Sequence, residues 1–268
     1  MRDKPIRDAL VRMFGALGMD VGTRTKTLEL ADLISALHPV DSGNALIRLG
    51  PEGDGGYLVP DDLDGIEYCF SPGVSTESGF EAALAERGLH VFLADFSVEG
   101  PAESHSNFVF DKKFLGALSN ETFMTLDEWK SVRLPDHEGD LILQMDIEGA
   151  EFESLLSASA QLLAQFRIMV IEFHYLQELF NKPFFVLASR VFQKLLQTHS
   201  VVHIHPNNCC GSMKGGGLEI PRIAEFTFFR NDRFEDRSYR DDFPHPLDND
   251  NTRKRTLVLP ECWYRKRA

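Results

Sequence analysis

From residue 66 onward, short apolar runs alternate with amphipathic stretches, and this alternation restricts the chain more than any other feature. IEYCFSPGVS, LHVFLADFS, SNFVFDKKFLG, LILQMDIEGAE, RIMVIEFHYL, VVHIHPNN and AEFTFFR read in order as seven strands. FEAALAERG, EFESLLSASAQLLAQF and PFFVLASRVFQKLLQTH read as helices between them. Ser78 with Glu81 three residues on forms a capping-box pattern at the first of these, and Gly88 closes it. VFLA, LILQM and IMVIEF are nearly continuous apolar runs, as strands buried on both faces are. Repeated units of this kind predict an α/β fold with a mostly parallel sheet covered on both sides.

Upstream, PIRDALVRMFGALG and TLELADLISALHP have helical spacing, the first ending at Gly18 and the second before Pro39. GDGGY, residues 53–57, reads as a hairpin turn between IRLG and YLVP. Beyond residue 232 the chain is polar and proline-interrupted, which predicts a poorly ordered tail or an irregular cover.

The formal net charge is −13, which repels a nucleic-acid polymer. No apolar run approaches the roughly 20 residues of a membrane span, and the N-terminus lacks a secretory apolar block. A cytoplasmic protein with no membrane or nucleic-acid partner is the expectation. Cys69, Cys209, Cys210 and Cys262 form no CxxC pair, so reduced thiols are expected rather than a disulfide framework or a zinc-cysteine site.

In open α/β sheets, ligands bind beyond the carboxyl ends of the strands. That rule selects Ser71, Gly73, Val74 and Ser75 after strand one, and Asp95 with Phe96 after strand two. It also selects Asp146 and Glu148 after strand four, Glu172 and His174 at strand five, and His203, His205 and Asn207 at strand six. A glycine at the first strand-to-helix turn admits a ligand to the backbone. An acid 22 residues later, Asp95, suits the hydroxyls of a ribose. SPGVS lacks the glycines of a pyrophosphate cradle, so S-adenosylmethionine fits better than NAD. A first-turn position accounts for Glu151. It does not account for Asp146, because an acid closing a buried strand needs a partner. His174 stands two residues after Glu172 on one strand face and suits a general base. A plain strand-end histidine bonded to a carboxylate is the competing reading. His203 and His205 also share a face; with Asp146 and Glu172 they admit a divalent metal site. Asp54 and Tyr57 are candidate lid residues against the plain hairpin reading.

LILQMDIEGAEFESLL resembles the "KIDVEGAE…L" signature of FkbM-like S-adenosylmethionine-dependent methyltransferases. IRLGPEGDGGYLVP, the block from YCFSPGVS to VFLADFS, FRIMVIEFHYL and VVHIHPNN resemble further segments of that family, in order, over residues 47–230. The resemblance implies the three-layer, Rossmann-like class I methyltransferase fold: a seven-stranded, mostly parallel sheet with one antiparallel strand. It implies O-methylation of a hydroxyl on a small molecule or glycan. The expected division is an N-terminal helical cap over 1–40, a methyltransferase domain over 41–232 and an irregular extension over 233–268. Cofactor contacts are expected from Ser71, Gly73, Val74, Ser75, Asp95, Phe96 and Asp146, and catalytic roles from Asp146, His174 and Glu148. The proline in SPGVS departs from the family pattern and bears on the cofactor loop. Two other classes stay open: a metal-dependent hydrolase built on Asp146, Glu172, His174 and His205, and a non-catalytic ligand-binding module.

Overall fold

The computed structural model describes residues 4–16, 22–235 and 237–265. All seven expected strands form one sheet: β1 Tyr68–Pro72, β2 His90–Ala94, β3 Phe108–Asp111, β4 Leu141–Met145, β5 Phe166–Phe173, β6 His199–Pro206 and β7 Ala224–Arg230. Their lateral order is β3-β2-β1-β4-β5-β7-β6. β1 pairs parallel with β2 on one side and with β4 on the other. β7 is the one antiparallel strand of this sheet, inserted between β5 and β6. This is the expected seven-stranded, mostly parallel sheet. Chain direction across it reverses between β1 and β4, the place where open sheets leave a crevice.

The helices are α1 Lys4–Ala16, α2 Thr27–Ala36, α3 Gly79–Glu86, α4 Leu126–Arg133, α5 Glu151–Ser157, α6 Ala160–Gln165 and α7 Lys182–Leu195. The expected end of α1 at Gly18 lies outside the described residues. α2 and α4 to α7 cover one face of the sheet, through Leu30, Trp129, Phe152, Leu162 and Phe192. α3 covers the other through Phe80 and Leu84, with the hairpin Leu46–Leu49/Tyr57–Pro60 beside it. The single helix read over EFESLLSASAQLLAQF is two. Ser159 interrupts it, because its hydroxyl accepts from Leu162 N at 3.1 Å and caps a new helix.

β4 and β5 are buried along their whole length, as their apolar runs require. Truncating a fully buried ring such as Phe226 to alanine costs about 3–5 kcal/mol by cavity formation. The hairpin is fixed to the sheet by Thr227, whose hydroxyl donates to Leu58 O at 2.7 Å. A small second hairpin, Ser212–Gly215/Leu218–Pro221, went unread in the sequence because GSMKGGGLEI shows no apolar alternation. Residues 237–265 have an irregular backbone, yet they bury Leu259 and Trp263, whose indole N–H donates to Glu219 O at 3.0 Å. All four cysteines are free.

Candidate active site

Gly73, Asp95 and Asp146 line one cavity of about 420 Å³ at the carboxyl rim of the sheet, above the β1/β4 reversal. The turn that brings two of them together depends on glycine. Gly73 has φ +90°, and a Cβ there would stand 1.5 Å from the Asp146 carbonyl oxygen. Asp95 is buried and ties down the loop opposite: Oδ2 accepts from Ser75 N at 2.9 Å, and Oδ1 from Ser97 N at 2.8 Å. Oδ2 keeps one lone pair for a ligand hydroxyl. Phe114 and Phe123, with centroids 5.6 Å apart, supply an apolar wall at the far end of the cavity.

The sequence DIEGAE folds as a tight turn around His174. Glu148 has φ +55° and Gly149 φ +111°; Tyr175, whose ring packs over Gly149, has φ +58°. Ser75, at φ +38°, Glu148 and Tyr175 are the positive-φ non-glycine residues among those described, and Ser75 and Glu148 line the cavity. Strained backbone of this kind concentrates at functional sites. Glu151 is fully buried; its Oε1 accepts from Gly149 N at 3.0 Å, from Ile147 N at 3.3 Å and from His174 Nδ1 at 3.0 Å. That bond places the imidazole hydrogen on Nδ1 and turns Nε2 toward three more carboxyl groups. Nε2 is 3.3 Å from Glu148 Oε2, 3.9 Å from Asp146 Oδ1 and 3.9 Å from Glu172 Oε1.

The electrostatics follow from that crowding. Burial pushes the Asp146 carboxyl up to about 7; His174 pulls it back, while Glu148, Glu151 and Asp54 push it further up. Burial works against charge on His174, but the Glu151 hydrogen bond and the fields of Glu151, Asp146 and Glu148 together raise it above the ordinary histidine value. Burial also holds Glu172 well above the carboxylate range, with Asp146 and Glu225 adding to it. Asp146 Oδ1 is buried and has no hydrogen-bond partner. Asp146, Glu148 and His174 each offer a ligand atom within 4.8 Å of the others, a spacing that a divalent ion accepts.

A smaller cavity of about 130 Å³ adjoins the first and shares Gly73, Ser75, Asp146 and Glu148 with it. Val74, Asp54 and Tyr57 line it, so the GDGGY turn is both a hairpin turn and part of a ligand-sized space. Behind Tyr57, its hydroxyl lies 3.3 Å from Gln144 Nε2.

Several expected site residues stand elsewhere. Ser71 is fully buried beneath the floor and lines neither cavity; it bonds Glu81 and Gln144. Glu81 therefore does not close a capping box: its side chain turns inward to Ser71, and Ser78 makes no side-chain cap. Phe96 is half exposed and reaches the site only by packing against Phe114, with centroids 5.5 Å apart. His203 and His205 do not converge with Asp146. Asp248, from the C-terminal segment, sits 2.8 Å from His203 Nε2 and 3.6 Å from His205 Nδ1. His205 pairs across β7 with Glu225, two strands away from Glu172. The four-residue hydrolase set thus lacks its second histidine. Glu151 and Glu81 are the residues that sequence reasoning undervalued. Both read as first-turn helix acids, and only their complete burial shows otherwise.

Residues 83–199 match the model of the methyltransferase FkbM domain. DIEGAE, the stretch that resembles that family's signature, lies within the matched segment. The match is narrower than the resemblance over 47–230 and leaves SPGVS and GDGGY outside it. Similar solved structures include a hemolysin homologue from Streptococcus thermophilus, with 13% identity over 68% of this chain and a TM-score of 0.36; this chain spans 64% of its length. They also include the N-methyltransferase NodS of Bradyrhizobium japonicum, with 11% identity over 76% of this chain and 95% of that one, at a TM-score of 0.33. A 16S rRNA (adenine(1408)-N(1))-methyltransferase of Catenulisporales acidiphilia is 11% identical over 69% of this chain and 98% of its own, at a TM-score of 0.30. At these scores the likeness says nothing of substrate. Among curated proteins none matches the chain. No helix among the described residues is long and apolar enough to cross a membrane.

Proposed function

We propose that this methyltransferase takes its methyl group from S-adenosylmethionine and delivers it to a hydroxyl of a small molecule or glycan. The observation that carries the reading is that Gly73, Asp95 and Asp146, far apart in the chain, line a single cavity. The residues present fit the cofactor. Asp95 Oδ2 has a lone pair for ribose hydroxyls, Phe114 and Phe123 offer a wall for the base, and the acids around Gly73 favour a cation. Bound there, S-adenosylmethionine supplies an electrophilic methyl group carried on a sulfonium.

The chain's own part is alignment and proton handling. Asp146 Oδ1, buried and unpartnered at the junction of the two cavities, accepts the proton of the acceptor hydroxyl. The carboxylates around His174 raise it against burial, and in its protonated form it balances the charge Asp146 carries when ionised. Glu148 closes the turn over both from the exposed side. Val74 and Ser75 continue the loop against the cofactor, anchored by Asp95.

Labelled methyl donor, incubated with mixtures of hydroxylated acceptors, tests this. The expected product carries the label in an ether stable to mild alkali. Label found only in base-labile esters or on nitrogen would refute O-methylation.

A further inference from the structure

Ser71 Oγ lies within hydrogen-bond reach of two acceptor oxygens: Glu81 Oε1 and, at 2.7 Å, Gln144 Oε1. A serine hydroxyl has one hydrogen. With the Gln144 oxygen toward it, Ser71 gives that hydrogen to Gln144, and Glu81 must itself carry a proton to donate to Ser71. The chain then runs from Glu81 through Ser71 and Gln144 to the Tyr57 hydroxyl, 3.3 Å from Gln144 Nε2. Turning the amide over reverses every bond. Tyr57 then donates to Gln144, Gln144 to Ser71, and Ser71 to an ionised Glu81. The network therefore has two complete states, and they differ by one proton on Glu81.

Glu81, Gln144 and Tyr57 line the smaller cavity. Its lining holds the carboxyl groups of Asp54, Glu77, Glu81, Asp146 and Glu148 and no lysine, arginine or histidine. Glu81 itself is buried, with Ser71 and Cys69 on the strand beneath it, Gln144 on the next strand, Tyr57 on the hairpin, and Glu77 and Glu103 on flanking loops. Burial pushes its carboxyl up to about 7; the Ser71 bond opposes this, and Glu77 and Glu103 add to it.

We propose that the smaller cavity is a cation subsite in which an incoming primary ammonium takes the place of the Glu81 proton. The carboxylate becomes the counter-charge, the Gln144 amide turns over, and the displaced proton leaves to solvent. The inference rests on the methyl-donor reading, since the amino-acid end of that donor is the ammonium in question. Binding is then coupled to proton release.

Calorimetric titration at one pH in buffers of different ionisation enthalpy measures the coupling. S-adenosylhomocysteine, which has the ammonium, should release close to one proton per site at about pH 6, falling toward zero by about pH 8.5. 5′-Methylthioadenosine, which lacks it, should bind and release none. Glu81→Gln, which keeps the hydrogen-bond chain but cannot titrate, should bind S-adenosylhomocysteine with release at about pH 6 reduced by close to one proton, whatever Asp146 in the same cavity contributes. Infrared spectra of the empty protein at about pH 6 should show one protonated carboxyl fewer in Glu81→Gln than in the wild type, the bands of Asp146 and Glu172 remaining in both. Equal release from both ligands, release undiminished in Glu81→Gln, or carboxyl bands identical in Glu81→Gln and wild type overturns the proposal and leaves the methyl-donor reading standing. Failure of all the adenosyl ligands to bind removes that reading and this inference with it.

Discussion

Glu151 Oε1 lies 3.0 Å from His174 Nδ1 while also holding the backbone N–H groups of Gly149 and Ile147. One buried carboxylate oxygen thus sets both the shape of the DIEGAE turn and the direction in which His174 presents Nε2. Glu151→Gln keeps an oxygen for the two backbone groups but removes the negative charge beside the ring. The His174 titration midpoint, followed by NMR of the ring nitrogens, is expected to fall by about one pH unit or more. An unchanged midpoint with lost activity would mean that Glu151 matters only as packing.

In the proposed role of general base, Asp146 works ionised. Burial pushes it up to about 7, so kcat/KM is expected to rise with pH through about 7 and level off above. That midpoint belongs to the Asp146–His174 pair rather than to one group. Asp146→Asn should lower kcat by about 10²–10⁴-fold while leaving binding of the methyl donor's product largely intact. A flat profile in the wild type, measured with saturating cofactor, would contradict the assignment.

His199 makes an acid-stability prediction independent of function. It is fully buried, with Nε2 2.6 Å from Phe166 O and Nδ1 2.8 Å from Thr198 Oγ1, which satisfies a neutral ring. Burial pushes it down to about 4, against the Phe166 bond. The folded value lies below the unfolded one, so its stabilisation is complete above about pH 6.5 and is lost as pH falls toward 4. The loss reaches about 3 kcal/mol. Urea denaturation across that window should show the fall, and His199→Gln should flatten it. His205, raised to about 8 by Asp248 and Glu225 against burial, acts with the opposite sign at higher pH; comparing the two proteins isolates His199.

Gly73 offers a test of the turn itself. A Cβ at 73 would meet the Asp146 carbonyl at 1.5 Å, and φ there is +90°. Gly73→Ala must displace one strand end from the other. We expect loss of cofactor-product binding together with destabilisation of about 1–3 kcal/mol, read from the thermal midpoint.

Much of the fold was legible because the strands are short apolar runs with polar ends, a pattern that parallel strands covered on both faces cannot avoid. VFLA, LILQM and IMVIEF became β2, β4 and β5, and their last residues marked the rim where Asp95, Asp146 and His174 stand. The inward turn of Glu81 and the burial of Glu151 were not legible. A glutamate in the first turn of a helix is favoured there whether it faces solvent or core, so the local signal is the same. The fate of His203 and His205 was hidden for another reason. Their partner Asp248 is more than forty residues downstream, in a segment with no periodicity, and only tertiary structure brings it to β6. The break at Ser159 was present in the sequence as a serine amid leucines, but the apolar pattern on both sides concealed it.

The cavity shared by Gly73, Asp95 and Asp146 is the proposed seat of the adenosyl methyl donor. Calorimetric titration of the purified chain with S-adenosylhomocysteine tests it most directly. One site per chain is expected, weakened by about tenfold or more in Asp95→Ala through loss of the ribose hydrogen bonds. Absence of binding to the folded wild type, or equal affinity in Asp95→Ala, would contradict it.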